Sequence, residues 1–169
     1  MSNPMKEIKV EKVVLNIGVG KGGKDLSNAE KILEEVAGQR PVRTHAKQTS
    51  QTFGFREGAP VGCKVTLRGD SAVQTLDKLL TVRGNELNES SFDEHGNFSF
   101  GIDEHIEIQG MDYDPEVGIF GMDVSVNLVR DGSRVKKRRR QSSSVASSHR
   151  VDKEEAIEFV KDKFDVRVV

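Results

Sequence analysis

Apolar residues recur at every second position in three stretches of the chain and at helical spacing in three others. Val13, Leu15 and Ile17 alternate with Val14 and Asn16, which predicts a strand half-buried against a core. A glycine cluster (Gly18, Gly20, Gly22, Gly23) ends it. Ser27-x-x-Glu30 has the form of a capping box, and Ala29, Ile32, Leu33 and Val36 follow on one helical face. Gly38 stands where a helix C-terminus takes left-handed φ. Pro41 then restarts an extended segment over 42–46, followed by a polar loop over 47–51 and Phe53-Gly54-Phe55-Arg56, with Gly58 and Pro60 marking a turn. Val61, Cys63, Val65 and Leu67 alternate with Gly62, Lys64, Thr66 and Arg68, so one face is apolar and the other carries donors. Asp70 is placed to cap a second helix whose face is Val73, Leu76, Leu79 and Leu80.

Further strands are predicted over 98–102 and 105–108, and a cleaner one over 122–128. That one has Met122, Val124, Val126 and Leu128 inward and Asp123, Ser125 and Asn127 outward. The Ser-rich stretch 142–148 reads as flexible or ordered by a partner. Asp152-x-x-Glu155 caps a last helix with Ile157, Val160 and Phe164 on one face, and a short apolar tail follows over 166–169. The fold class expected is α+β: a mainly antiparallel sheet, helices packed on one face, and a polar face left open. At 169 residues the chain is expected to be a single domain, 1–169, with a basic, Ser-rich arm at about 130–150.

Charge changes this picture more than composition does. The net charge is −1, yet residues 1–83 carry +5, residues 84–129 carry −11 with no Lys or Arg at all, and residues 130–169 carry +5 again. Within the last block, RVKKRRR (134–140) has six basic residues in seven. Such a run repels itself in isolation and is ordered cheaply where phosphates neutralise it and counterions are released. A polyanion against the basic surfaces, with the anionic third turned elsewhere, is the expected arrangement. No apolar run approaches the ~20 residues of a membrane span, so no membrane partner is expected. A single cysteine excludes an internal disulfide framework, which fits a cytoplasmic location.

Catalytic chemistry finds little support. Gly18-x-x-x-x-Gly23-Lys24 follows a phosphate-binding loop up to its last position, where Asp25 replaces the hydroxyl that would ligate magnesium. Gly18-x-Gly20-x-x-Gly23 also fits a dinucleotide fingerprint, but no acidic strand end follows ~20 residues on. A tight glycine turn explains the cluster better. Cys63 falls on the apolar side of its strand, as a small core residue would. His45, His95, His105 and His149 have no metal-ligand spacing, and the acids over 93–116 have no nearby base, so they suit a solvated or protein-facing surface. Phe98-Ser99-Phe100-Gly101 lacks the basic-Gly-aromatic start of an RNA-recognition motif and reads as paired core phenylalanines. A non-enzyme without cofactor or metal is expected.

What survives is a polar sheet face with basic loops. Asn16, Lys64, Thr66 and Arg68 point away from the core by strand parity, and Gln39, Arg43, Lys47 and Arg56 extend that face. Amides, hydroxyls and cations in this arrangement suit phosphates and ribose 2′-hydroxyls.

At these residues the sequence resembles the family of large-subunit ribosomal protein number five, which binds 5S ribosomal RNA. The blocks are VEKVVLNIGVG (10–20), GQRPV (38–42), FGFREG (53–58), GCKVTLRG (62–69), FDEHGNFSFG (92–101), Tyr113-Asp114 and Gly121-Met122-Asp123. Residues 130–134 and HRVDKEEA (149–156) look like the archaeal and eukaryotic branch. The resemblance implies a non-enzymatic protein that attaches 5S rRNA in the central protuberance, among other proteins there. It also implies contact with P-site tRNA and with a small-subunit head protein across an intersubunit bridge. The rRNA-binding residues it points to, with the parity reading, are Lys12, Asn16, Gln39, Phe53, Arg56, Lys64, Thr66 and Arg68. Arg134, Lys136, Lys137, Arg138, Arg139 and Arg140 would grip 5S or the larger rRNA. The tRNA-contact loop would comprise Thr44, His45, Lys47, Gln48, Thr49, Ser50 and Gln51; bacterial members carry several basic residues there, whereas this stretch keeps Lys47.

Overall fold

A computed structural model describes residues 3–169. Its main element is a five-stranded antiparallel sheet of β1 (Ile8–Gly18), β2 (Val42–His45), β3 (Pro60–Leu67), β5 (Phe98–Ile102) and β6 (Met122–Arg130), in the order β2-β3-β1-β6-β5. The first strand in sequence is therefore the middle one in space, paired to β3 on one side and β6 on the other. Two helices, α1 (Lys24–Ala37) and α2 (Gly69–Val82), cover one face, α1 against β3 and α2 against β1. They bury Leu26, Ala29, Ile32 and Leu33, and Ala72, Leu76, Leu79 and Leu80. Each large aliphatic side chain so covered contributes about 1.5–3 kcal/mol, which explains why the two amphipathic faces and the strand interiors form one continuous core. The short helix α3 (Arg134–Lys137) and helix α4 (Lys153–Phe164) follow, and α4 adds Ala156, Val160 and Phe164 to that core.

The α+β architecture and the antiparallel sheet agree with the sequence pattern; the departures are local and have identifiable causes. α1 begins three residues before the expected cap, because Gly23 at φ 101° turns the chain there. Ser27 thus lies inside the first turn, with its hydroxyl donating to the Gly23 carbonyl at 3.3 Å. Gly38 does end the helix in the left-handed conformation, its N–H donating to the Glu34 carbonyl. α2 starts at Gly69 after Arg68, so Asp70 sits in the first turn without capping it by a side-chain bond. The 105–108 strand does not form. His105–Glu107 is a single 3₁₀ turn, held where His105 N–H donates to the Phe120 carbonyl at 3.0 Å and the Phe120 N–H donates to His105 Nδ1 at 3.2 Å. The apolar tail instead forms β7 (Arg167–Val168), parallel to β4 (Glu86–Leu87).

A bulge in β1 decides which residues share a face. Pairing to β6 runs Val10 with Leu128 and then Lys12 with Asn127, leaving Glu11 unpaired. The extra residue inverts parity at that point. Ile8 and Val10 can therefore pack on the same core as Val13, Leu15 and Ile17, while Lys12, Val14 and Asn16 stay on the far side.

Candidate nucleic-acid interface

Register turns the uncovered face into rows that run across the strands. One row is Val42, Lys64, Asn16, Asp123 and Gly101, from β2 to β5. The next is Thr66, Val14, Ser125 and Ser99, and the next pairs Lys12 with Asn127, whose amide donates to Asn97 Oδ1. Lys64 is exposed, and Asn16, Thr66 and Lys12 are half-buried between their neighbours. Among the described residues Lys64 and Lys12 form no ion pair. The face is cationic and hydroxylated on the β3–β1 side and grades to anionic at Asp123. The expectation that the whole acidic third turns elsewhere therefore fails at Asp123, because β6 pairs with β1 and brings that carboxylate into the Lys64 row.

Arg43 is a second correction. Its register partner is Cys63 on the helix-covered side, and its guanidinium makes two bonds to Glu30 of α1, at 2.5 and 2.9 Å. It fastens β2 to α1 and does not extend the open face. That hydrogen bond and the Arg43 charge hold the Glu30 carboxyl below the usual glutamate range despite its burial. Arg68 is exposed at the end of β3, and Gln39 is exposed just past α1.

The chain between β2 and β3 is a hairpin extension more than a free loop. Ala46 N–H donates to the Ala59 carbonyl and Gly58 N–H to the Ala46 carbonyl, both at 2.9 Å, and Ser50 bridges Phe55. Thr49 Oγ1 accepts from the Glu57 N–H at 3.0 Å and Ser50 Oγ from the Phe53 N–H at 3.4 Å, so both hydroxyls brace the loop. His45, Lys47, Gln48, Gln51 and Arg56 are exposed, and Thr44 is half-buried against Gly62. Phe53 is 74% exposed while stacked on Phe55 with ring centroids 6.0 Å apart. An aromatic face held open to solvent in this way suits a nucleobase.

The basic run folds back toward the sheet. Arg134 and Lys136 to Arg140 are exposed. Lys137 lies at 2.5 and 2.8 Å from the two carboxylate oxygens of Glu11, the bulge residue. Arg138 Nε donates to the Gln141 carbonyl, Ser143 N–H to the Val135 carbonyl, and His149 Nε2 is 2.8 Å from the Asp131 carbonyl. Arg130, whose side chain is 10% exposed, bonds the Lys6 and Arg150 carbonyls and Glu155. It closes the base of the arm and is unavailable to a phosphate.

Other chemistries find no geometry. In the glycine turn the Val19 and Gly20 N–H groups both donate to the Val61 carbonyl, at 2.9 and 2.8 Å, and Lys21 pairs with Asp25 at 2.7 Å. Two of the loop's amides are thus bonded to β3. Cys63 is fully buried, and burial pushes its thiol up to about 11, away from thiolate reactivity. Phe98 and Phe100 are buried and stacked as core residues. The sequence reading did not assign Ser99, Ser125, Asn127 and Asn97 to this surface. Parity had turned Ser125 and Asn127 outward, but only strand order shows that they adjoin Val14 and Lys12.

A helix-backed antiparallel sheet with a polar second face and basic extensions has the architecture and chemistry of a nucleic-acid-binding protein. Residues 3–56 match the sequence profile described as ribosomal protein L5, and residues 60–159 match the profile for the C-terminus of the same ribosomal family. The chain is 53% identical over 168 residues to the large ribosomal subunit protein uL5 of Sulfurisphaera tokodaii, covering 99% of this chain and 95% of that one. It is 51% identical to the uL5 of Methanococcoides burtonii, covering 99% of each. It is 48% identical to that of Sulfolobus acidocaldarius, covering 99% and 94%. The chain belongs to the ribosomal protein L5 family. It is a non-enzymatic, rRNA-binding constituent of the large subunit of the cytoplasmic ribosome, and among the described residues no helix is long and apolar enough to cross a membrane.

Proposed function

We propose that the protein holds 5S rRNA in the central protuberance through its uncovered sheet face, with Lys64, Lys12, Asn16 and Thr66 meeting the ribose-phosphate backbone. The observation that carries this reading is the Lys64–Asn16 row: an exposed cation without an ion pair among the described residues, in register with an amide on the neighbouring strand. Preformed donors lose little conformational entropy on binding, and phosphates add counterion release. Gln39, Phe53, Arg56 and Arg68 extend the contact at the β2–β3 end. Arg134, Lys136 and Arg138 to Arg140 supply phosphate contacts from the arm to 5S or the larger rRNA. The hairpin residues Thr44 to Gln51 reach P-site tRNA, chiefly through Lys47 and exposed amides, since Thr49 and Ser50 brace the loop. The acidic segment over 103–116 faces a basic small-subunit head protein, and other large-subunit proteins complete the protuberance.

The test is binding of the purified chain to 5S RNA and to an unrelated RNA of equal length over a salt series. Preference for 5S RNA is expected. Lys64→Ala should lower the log–log salt slope by about 0.9, the contribution of one duplex phosphate, and Asp103→Ala should leave it unchanged. Equal slopes for wild type and Lys64→Ala would remove the sheet face from the interface.

A further inference from the structure

The arm and the sheet enclose a cavity that the phosphate contacts above leave empty. We propose that this cavity receives one unpaired nucleotide, its base in the cavity and its phosphate on Lys136 and Arg150. This rests on the RNA-binding reading and specifies a subsite within it. The cavity is about 220 Å³, floored by Asn97, Asn127 and Leu128 and walled by His95, Val145 and His149. That volume is below the ~300 Å³ at which pockets for drug-sized ligands begin, so it suits a single planar ring.

The chemistry of the walls selects the ligand. Not one Asp or Glu lines the cavity. Of its four Lys and Arg residues, Arg130 is occupied by Glu155 and two carbonyls and Lys137 by Glu11. Among the described residues Lys136 and Arg150 form no ion pair, and the only side-chain bond of Arg150 there is a long one, 3.4 Å, to the Val145 carbonyl. These two cations also line an adjoining crevice of about 320 Å³ with Ser142, Ser143 and Ser144. They stand on the partition between a mixed apolar–amide chamber and a hydroxyl-lined one. A phosphate on the partition satisfies both cations. The attached base then enters the chamber, where the Asn127 carbonyl oxygen and the two imidazoles offer hydrogen bonds and Val145 offers an apolar surface. Unpaired RNA bases are recognised by hydrogen bonds to their edges and by stacking on planes such as imidazoles.

Two sources share this chemistry, an extruded nucleotide of the bound RNA and a free 5′-mononucleotide. The full chain would be titrated with AMP, GMP, CMP, UMP and inorganic phosphate while the His95 and His149 imidazole resonances are followed. In parallel, 5S RNA affinity would be measured for Ser133→Asp, which removes no side-chain cap bond but adds a carboxylate at the cavity, and for Val145→Trp, which fills it without charge. Unaltered melting temperatures would show that both variants fold. Saturable imidazole shifts by at least one nucleotide beyond those given by phosphate, lost in both variants, support the site with a free nucleotide. RNA affinity about tenfold weaker in both variants, as expected for loss of a charge-assisted contact, supports it with an RNA nucleotide. Shifts equal for phosphate and nucleotides, with unchanged RNA affinity, overturn it in favour of a simple anion site. No shift and no change in RNA affinity overturn it outright. If Lys64→Ala still lowers the salt slope in those cases, the sheet-face reading stands without the subsite; if Lys64→Ala is also silent, it is the sheet-face reading that has failed.

Discussion

The Lys137 ammonium bridges both carboxylate oxygens of Glu11, at 2.5 and 2.8 Å. Glu11 can reach it because the β1 bulge leaves that residue unpaired and inverts parity around it. One of six clustered cations is therefore neutralised within the protein, while its neighbour Lys136 has no ion-pair partner among the described residues. Lys136→Ala should lower the salt slope of RNA binding by about 0.9, and Lys137→Ala by clearly less. In a Glu11→Gln background the two lysines should become equivalent. A salt series on the four variants measures this, and equal effects of the two lysines with Glu11 intact would contradict the pairing.

Phe53 separates binding from folding. It is largely exposed, with Phe55 as its stacking neighbour, so Phe53→Ala should change urea stability by no more than about 0.5 kcal/mol. Stacking on a base is worth about 1–3 kcal/mol, so RNA affinity should fall by roughly 5- to 150-fold. A stability loss with unchanged affinity would assign Phe53 to loop packing.

Arg43 should behave in the opposite way. Its pair with Glu30 is partly exposed, so Arg43→Ala is expected to lower stability only modestly and to leave the RNA salt slope unaltered. Affinity measured over the same salt series decides this. A slope lowered as far as in Lys64→Ala would return Arg43 to the RNA-facing side.

Acid should loosen the same contact. Glu30 is held low by the Arg43 bond. Glu155 is also low, because burial, which raises it, is outweighed by Arg130 and the Asp152 N–H. A carboxyl whose folded pKa lies below its unfolded value contributes stability above the unfolded value, about 4.3 for glutamate, and loses it as pH falls through the folded one. Melting temperature should therefore drop below about pH 4, and Glu30→Gln should lower the neutral plateau and make the acid drop shallower. An acid drop as steep in Glu30→Gln as in wild type would show that this pair is not its source.

Gly62 tests the close approach of β2, β3 and β1. A Cβ there would lie 2.7 Å from the Ile17 carbonyl oxygen and 2.9 Å from Thr44 Oγ1. Backbone cannot yield as a side chain does, so Gly62→Ala should destabilise by about 1–3 kcal/mol, read from urea unfolding. Gly18→Ala, which meets nothing within 4 Å, is the control, and equal losses in both would mean that crowding is not the cause.

Strand interiors and helix faces were legible from spacing because periodicity is a property of a few consecutive residues. Val13, Leu15, Ile17, Cys63, Val65, Leu67 and the Met122 to Leu128 series all face the core as their alternation requires. The Asp152–Glu155 cap and the helix end at Gly38 are equally local. The glycine turn hid the true start of α1, and His105 resembled a strand residue because its bonding partner, Phe120, lies fifteen positions away. Parity also indicated that Asn16, Lys64 and Thr66 avoid the core, but a residue's row-mates depend on which strands become neighbours. That choice belongs to the packed sheet: pairing β6 with β1 set Asp123 across Asn16 from Lys64, pairing β2 with β3 turned Arg43 toward Glu30, and one unpaired residue in β1 gave Lys137 its carboxylate. Sequence alone thus determined the fold class, the core and the family, whose signals are written in short segments. The electrostatic layout of the polar sheet face and the arm arose only when segments up to 126 positions apart came into contact.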